Sequence, residues 1–331
     1  MTADRIPATI VTGFLGAGKT TLIRNLIVRA RGRRIAIIVN EFGDMGFDGS
    51  LLSDCGDDDC RPESIVELTN GCICCTVAEE FLPAMEALLA RDPAPDHIVI
   101  ETSGLALPQP LVRAFSWPTV RHRVTVDGVV TVVDAVAVAA RSGIVVPQAG
   151  APNHDDPVEE LFHDQLVCAD LIVFSKTDLV SEDEMHMVEE TVSREARPGT
   201  ALLRSAPAGL APEVLLGLSA ASEANMAGRD SLHELEGEEH NHDDFVSLVI
   251  DPGVVASMDD LRERVQQVLA LDGVLRVKGR VAVDGKAAPA VVQAVGQRIE
   301  TWFAPATQAS GLVVIGLKSI DGAAIARILG N

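Results

Sequence analysis

The sequence predicts an α/β fold in which a mostly parallel sheet carries helices on both faces, followed by a smaller α/β domain. Two observations support this fold class. Apolar, β-capable runs alternate with stretches of helical periodicity through the first 180 residues, which is typical of a parallel sheet. The composition is 47% hydrophobic but only 3% aromatic, with no tyrosine, so the core has to be aliphatic, as in buried parallel strands.

The length predicts more than one domain. A chain of 331 residues exceeds what one typical hydrophobic core supports. We assign residues 1–220 to the first domain and residues 245–331 to the second. Between them, residues 221–244 are polar and acidic, a composition that is typical of a linker.

The individual elements follow from the period of the apolar residues. Strands are predicted in the first domain at 7–12, 35–39, 64–68, 97–100, 124–133 and 171–174. Helices are predicted there after Thr20 and over 76–90 and 157–170. In the second domain we predict strands at 245–250, 273–283, 289–296 and 311–317, and helices at 257–270 and 320–329.

A phosphate-binding loop follows the first strand. Its match to the P-loop pattern is the run Gly13-Phe14-Leu15-Gly16-Ala17-Gly18-Lys19-Thr20, with Thr21 next on the helix. The glycines let backbone N–H groups approach phosphate, Lys19 neutralises the β- and γ-phosphates, and the Thr20 hydroxyl is a ligand for Mg²⁺. The first domain is therefore predicted to have the fold of a P-loop NTPase.

A carboxylate ends the strand at 97–100. The run Glu101-Thr102-Ser103-Gly104 stands where P-loop GTPases often carry Asp-x-x-Gly. There the carboxylate orients the Mg²⁺ shell, and the glycine N–H can sense the γ-phosphate. Glutamate has a longer arm than aspartate, so contact with the metal through water is expected. Lys19 and Glu101 are our candidates for stabilising phosphate and Mg²⁺ during catalysis.

A base-reading loop follows the strand at 171–174. The run Ser175-Lys176-Thr177-Asp178 occupies the place of the Asn-Lys-x-Asp pattern of guanine-binding proteins. The Asp178 carboxylate can accept both the N1–H and the N2–H of guanine, a donor pair that adenine lacks. Ser175 departs from asparagine and can form fewer hydrogen bonds. The backbone at Ser205-Ala206 is a weaker candidate for a contact to the guanine carbonyl.

Three cysteines, Cys72, Cys74 and Cys75, lie between the phosphate loop and Glu101. Thiolates bind soft metal ions, and three in four residues are unlike the isolated buried cysteines of a core. Cys-x-Cys is too tight to complete a tetrahedral site from one turn, so a further ligand is needed, and Glu41 is one candidate.

Two interpretations of Cys55 and Cys60, a second thiol pair and ordinary loop residues, are equally supported. His233, His240 and His242 lie among acidic residues of the 221–244 segment. They could hold a cation weakly, although a solvated acidic linker explains them slightly better.

Charge and cysteine usage exclude several classes of function. The formal net charge of −21 argues against binding to nucleic acid or to an anionic membrane surface. The first residues show no secretory signal, and the longest apolar run is too short to span a bilayer. Clustered cysteines without an export signal favour metal or thiolate chemistry in a reducing compartment, so we expect a cytoplasmic protein.

Taken together, the motifs resemble those of the CobW family of P-loop GTPase metallochaperones. The resemblance is carried by the phosphate loop, by Asn40–Asp44, by Asn70–Thr76 and by Glu101–Ala106. It extends over the first 180 residues and continues in the acidic histidine-containing segment and at Arg276–Gly279. The runs Glu101–Pro110 and Thr125–Asp134 look most like the branch of the family that serves cobalamin biosynthesis.

This resemblance implies a GTPase domain followed by a CobW C-terminal domain, with GTP, Mg²⁺ and a transition metal as ligands. It implies that Cys72, Cys74 and Cys75 bind the metal. For the cobalamin branch it implies that cobalt(II) is supplied to a chelatase that inserts cobalt into the corrin ring.

Our hypothesis is a switch in which GTP and Mg²⁺ order the segment from Glu41 to Cys75, so that it traps cobalt(II), and hydrolysis releases the metal. A zinc or iron chaperone of the same family remains open, because thiolates suit zinc. A kinase or ATPase that uses the same loop, and a passive metal buffer that uses the acidic linker, are the alternatives from other classes.

Overall fold

The computed structural model describes residues 5–30, 32–40, 65–68, 81–140, 156–205, 209–231, 245–296, 298–304 and 311–330. Residue 40 and residues 65–68 are described by their backbone only. The described residues fall into two compact units, one containing residues 5–231 and the other residues 245–330. Within these ranges, no helix is both long and apolar enough to cross a membrane.

The first unit is built on a seven-stranded sheet. Its strands in chain order are β1 (Ile6–Thr12), β2 (Ile35–Asn40), β3 (Ile65–Leu68), β4 (His97–Glu101), β5 (Val124–Asp134), β6 (Leu171–Ser175) and β7 (Ala201–Arg204). They are arranged in the order β3-β2-β4-β1-β5-β6-β7, and every neighbouring pair is parallel. All seven strands therefore present their carboxyl ends at one edge of the sheet, which we call the carboxyl edge.

Within the described residues, the first unit has seven α-helices, of which the first six lie between strands of the sheet and the last follows β7. They are α1 (Lys19–Arg29), α2 (Leu82–Leu89), α3 (Pro108–Ala114), α4 (Ala135–Ala139), α5 (Pro157–Cys168), α6 (Glu182–Glu195) and α7 (Pro212–Leu215). Short 3₁₀ turns lie at Thr177–Leu179 and Ser222–Ala224.

Helices cover both faces of this sheet. Successive side chains of a strand point to opposite faces, so each strand contributes to two hydrophobic clusters. On β4, Ile98 and Ile100 pack into a cluster with α2 and α3, whereas Val99 packs into a second cluster with α1 and α7. The predicted fold class, a mostly parallel sheet between helices, is confirmed.

The second unit contains an antiparallel sheet with helices on one face. Its strands are β8 (Phe245–Ile250), β9 (Val254–Val255), β10 (Val274–Val283), β11 (Ala290–Val295), β12 (Arg298–Phe303) and β13 (Gly311–Leu317), and its helices are α8 (Met258–Leu269) and α9 (Gly322–Leu329). The order is β12-β11-β10-β13-β8, and β9 pairs with β10 in parallel. Leu261, Val265 and Ile325 of the helices pack against Val277 and Val314 of the sheet.

The structure extends the first unit beyond residue 220. Residues 221–231, which the sequence assigns to the start of the linker, contact the connection between α5 and β6 through Arg229, whose side chain is 1% exposed. Arg229 forms an ion pair with Asp170 and donates to the Cys168 carbonyl. Ser222 Oγ donates to Asp170 Oδ2 at 2.6 Å.

Asp170 is the centre of this anchor. Burial by itself would raise the pKa of Asp170, but hydrogen bonds from Arg229, Ser222 and the Val129 N–H outweigh it and lower the pKa. The carboxylate is therefore charged at neutral pH. A buried charge of this kind depends on its partners, since an uncompensated charge in a protein interior is costly.

We predict that Arg229→Ala lowers the free energy of unfolding of the first unit by about 3 kcal/mol, because it removes the closer of the two cations that pair with Asp170 and leaves only Arg197, at 3.3 Å. Arg33→Ala is the matched control: Arg33 pairs with Glu213 at 3.5 Å, both side chains are largely exposed, and the expected loss is about 1 kcal/mol or less. Urea unfolding would be monitored by the fluorescence of Trp117. The Trp302→Phe substitution in both variants removes the emission of the other tryptophan. Equal losses in the two variants would contradict this account.

Candidate nucleotide site

The phosphate loop lies at the carboxyl edge, between β1 and α1. Gly13, Gly16 and Gly18 have positive φ angles of 133°, 71° and 98°. A Cβ on Gly13 would come within 2.2 Å of the carbonyl oxygen of Val132 on β5. Glycine is therefore required by both the conformation and the close approach of two backbones. The loop residues Phe14, Leu15 and Ala17 are buried.

Lys19 begins α1 and is directed back over the loop. Its Nζ donates to the Gly13 carbonyl at 2.7 Å and to the Phe14 carbonyl at 3.2 Å. Only 7% of the residue is exposed. An ammonium group held beside the backbone of a glycine-rich loop is suited to receive phosphate oxygens.

Glu101 joins β4 to the phosphate loop. Thr20 Oγ1 donates to Glu101 Oε1 at 2.7 Å, and the carboxylate is buried, with the whole residue 3% exposed. Glu101 lies opposite Val11 of β1 and Val39 of β2 in the sheet register. A hydroxyl and a carboxylate in contact are hard oxygen ligands of the kind that Mg²⁺ prefers, so these two residues fit the ion that the sequence implies.

The loop after Glu101 packs against the phosphate loop. A Cβ on Gly104 would lie 2.7 Å from the Leu15 backbone nitrogen. Gln165 on α5, fully buried, donates to the carbonyl oxygens of Gly104 and Ala106 at 3.3 and 3.2 Å. Ser103 is also buried. Sequence reasoning missed Gln165, because a polar residue within a helical pattern gives no sign of its distant partner.

The base loop also contacts the phosphate loop. Ser175 Oγ donates to the Ala17 carbonyl at 2.6 Å, and Lys176 Nζ donates to the Gly16 carbonyl at 2.8 Å. The serine that stands in place of asparagine thus still joins the two loops. Asp178 lies in the 3₁₀ turn and is exposed, which leaves its carboxylate accessible to a base. Thr177 Oγ1 donates to the Ser205 carbonyl at 3.1 Å.

The structure therefore brings three predicted segments together at one edge: the phosphate loop, Glu101 to Gly104, and Ser175 to Asp178. The predicted metal ligands Cys72, Cys74, Cys75 and Glu41 lie outside the described residues. The same is true of two further sets of candidates, namely Cys55 with Cys60 and His233 with His240 and His242, and of Ala206. In the part of the chain that the structure describes, no group of three or more His, Cys, Asp or Glu side chains could hold a metal ion.

Cys168 differs from the clustered cysteines. It ends α5, is fully buried, and burial raises the pKa of its thiol to about 12. A thiol that stays protonated is a poor metal ligand, because the thiolate is the form that binds.

Comparison with known families identifies both units. The model of the CobW/HypB/UreG nucleotide-binding domain matches residues 7–204, and that of the cobalamin synthesis protein cobW C-terminal domain matches residues 246–331.

Two relatives match nearly the whole chain. A protein of Sinorhizobium sp named zinc chaperone CobW is 48% identical over 337 residues, which is 97% of this chain and 95% of the relative. A protein of the same name from Pseudomonas aeruginosa is 43% identical over 345 residues, covering 99% and 92%. Among solved structures, that of Zn(II)-bound YjiA GTPase from E. coli is 22% identical and covers 98% of both chains, with a TM-score of 0.44.

We predict that Gly104→Ala weakens GTP binding and lowers the rate of GTP hydrolysis at least tenfold, because the added methyl group displaces the Leu15 backbone of the phosphate loop. Gly322→Ala in the second unit is the control, because its φ lies outside the left-handed region and the nearest atom to an added Cβ is the end of the flexible Leu248 side chain at 3.3 Å. Steady-state hydrolysis and equilibrium GTP binding measure the effect. Normal kinetics for Gly104→Ala would show that the approach of these loops does not matter.

Proposed function

The chain belongs to the CobW/HypB/UreG family as a metal-chaperone P-loop GTPase, and we propose that it carries zinc(II) under the control of bound GTP. The observation that carries this proposal is the 48% identity, over nearly the full length, to a relative named a zinc chaperone. The predicted GTPase activity is confirmed by the family. The roles of individual residues, the metal and its recipient are our assignments.

The phosphates of GTP are assigned to the loop at 13–18 together with Lys19, Thr20 and Thr21. The Lys19 ammonium, which contacts loop carbonyls in the structure, would turn to the β- and γ-phosphates. Thr20 and Glu101 would hold Mg²⁺, directly or through water. The ion supplies positive charge that neutralises the phosphate oxygens.

Guanine is assigned to the base loop. The exposed Asp178 carboxylate accepts from N1–H and N2–H, while Ser175 and Lys176 hold the loop against the phosphate loop. Adenine would leave the Asp178 charge without donors, so the site is expected to prefer GTP over ATP.

Hydrolysis adds water to the γ-phosphorus as the bond to the β-phosphate oxygen breaks, which gives GDP and phosphate. Ser103 and Gly104 lie on the loop where the γ-phosphate is expected, and Gln165 holds that loop through two backbone carbonyls. We therefore expect loss of the γ-phosphate to change the conformation of residues 101–104 first.

The topology of the sheet supports a link between the thiol segment and this site. Strands β2 and β3 are parallel neighbours whose last residues, Asn40 and Leu68, are paired at the carboxyl edge. The chain leaves the sheet there just before Glu41 and again shortly before Cys72. We assign Cys72, Cys74, Cys75 and Glu41 to the metal, as segments that begin beside the nucleotide site.

Two metals are supported by different observations. Both full-length relatives are named zinc chaperones, and thiolates suit zinc. The second unit matches a domain whose description names cobalamin synthesis. This match supports cobalt(II) as the second candidate metal, with a cobalt-inserting chelatase as its recipient. Free thiols require a reducing compartment, for which reason we place the protein in the cytoplasm.

We predict that GTP·Mg²⁺ tightens zinc binding at least tenfold relative to GDP·Mg²⁺, and that zinc tightens GTP binding by the same factor, because linkage is reciprocal. Zinc titration against a chromophoric chelator, with each nucleotide, measures the first factor. Cys74→Ser should abolish the effect. Cys168→Ala is the control, because its buried, protonated thiol should not contribute.

Three outcomes would count against this proposal. Equal zinc affinity with GTP, GDP and no nucleotide would remove the switch. A persistent effect in Cys74→Ser would remove the thiol assignment. Cobalt(II) that displaces zinc from the GTP-bound form at equal concentration would make cobalt the cargo.

A further inference from the structure

Asp134 is a partly buried carboxylate at the carboxyl edge that belongs to neither the phosphate-loop motif nor the base-loop motif. It is the last residue of β5 and lies opposite Ser175 of β6 in the sheet register. One carboxylate oxygen, Oδ1, accepts hydrogen bonds from the Val136 and Ala137 N–H groups at 3.0 and 3.2 Å and so caps α4. The other, Oδ2, forms an ion pair with Lys176 Nζ.

Both the backbone and the side-chain ammonium of Lys176 are constrained. Its backbone is in the left-handed region, with φ of 55°, which is uncommon for a residue with a long side chain. Its Nζ contacts Asp134 and also donates to the Gly16 carbonyl at 2.8 Å. The ammonium therefore connects the end of β5, the base loop and the phosphate loop.

Burial strengthens the ion pair between Lys176 and Asp134. The side chains of Lys176 and Asp134 are only 18% and 13% exposed, so water screens their attraction less than that of a surface pair. A lysine side chain has four rotatable bonds and loses much freedom when it is fixed. Here the Asp134 ion pair and the hydrogen bond to the Gly16 carbonyl fix the side chain, as a preorganised site requires.

We propose that Asp134 is a positioning residue for guanine nucleotides: it fixes Lys176 against the phosphate loop and so holds the base loop in its binding geometry. The inference rests on the proposed assignment of guanine to residues 175–178. It concerns the base side of the nucleotide, so GTP and GDP are affected alike, unlike changes at Glu101 or Gly104 that act near the γ-phosphate.

The test substitution is Asp134→Asn. Asparagine keeps an oxygen that can cap α4 but loses the negative charge, and its amide N–H₂ cannot accept from an ammonium. Asp156→Asn is the matched control. Asp156 caps α5 in the same way, with Oδ1 accepting from Val158 N–H at 3.0 Å and Glu159 N–H at 3.3 Å. Within the described residues, Asp156 forms no ion pair.

The expected result for Asp134→Asn is a Kd about tenfold or more higher for both GTP and GDP, with KM raised by a similar factor and kcat changed less than about threefold. Asp156→Asn should leave all four constants unchanged. Titration of fluorescent GDP and GTP analogues, with steady-state hydrolysis, measures them. Asp134→Ser, which also keeps a capping oxygen, should repeat the loss, so the test stands if one substitution impairs folding.

The Lys176→Met background separates positioning from helix capping. If Asp134 acts through Lys176, Asp134→Asn adds little to the loss in affinity that Lys176→Met already causes. Unchanged nucleotide affinity in Asp134→Asn, equal losses in Asp134→Asn and Asp156→Asn, or fully additive effects with Lys176→Met would overturn the inference. Failure of the wild-type chain to prefer GTP over ATP would instead overturn the assignment of the base loop on which it rests.

Discussion

The nucleotide site depends on the close approach of two backbones at the carboxyl edge of the sheet. A Cβ on Gly13 would come within 2.2 Å of the Val132 carbonyl oxygen, so the phosphate loop can lie this close to β5 only as glycine. From that position the loop reaches Glu101 through Thr20, and the base loop through Ala17 and Gly16. Side chains at the carboxyl ends of β4 and β6 thus contact the phosphate loop and the first turn of α1, where we propose that the nucleotide binds.

In the proposed function, the same edge links nucleotide binding to metal binding. Strand β2 ends beside Glu101, since Val39 is paired with Glu101, and β3 ends beside β2, since Leu68 is paired with Asn40. The segments that contain Glu41 and the three clustered cysteines begin at these strand ends. In a parallel sheet, loops after neighbouring strands share one edge. Loss of the γ-phosphate can therefore alter the conformation of a segment that is distant in sequence. This is the physical basis of the proposed coupling.

The sequence predicted the elements whose side chains are strongly periodic. The strand at 245–250 and the strand at 311–317 were predicted with the observed bounds, and β4 and β6 to within a residue. Strand β12 was missed, because it is an edge strand whose residues are mostly exposed and show no apolar run. Long-range polar contacts were also missed: nothing local in the sequence pairs Asp134 with Lys176, or Gln165 with Gly104. Motif spacing located the loops, but only the fold shows which side chains join them.

The central claim is that the phosphate loop and Glu101 bind GTP·Mg²⁺ as one unit, and a double-mutant cycle tests it most directly. The dissociation constant of GTP·Mg²⁺ would be measured for the wild-type chain, Thr20→Val, Glu101→Gln and the double variant. The account predicts that the two losses are not additive, with a coupling free energy of about 1 kcal/mol or more, because the residues are in contact and share one ligand. Losses that add to within about 0.5 kcal/mol would contradict it.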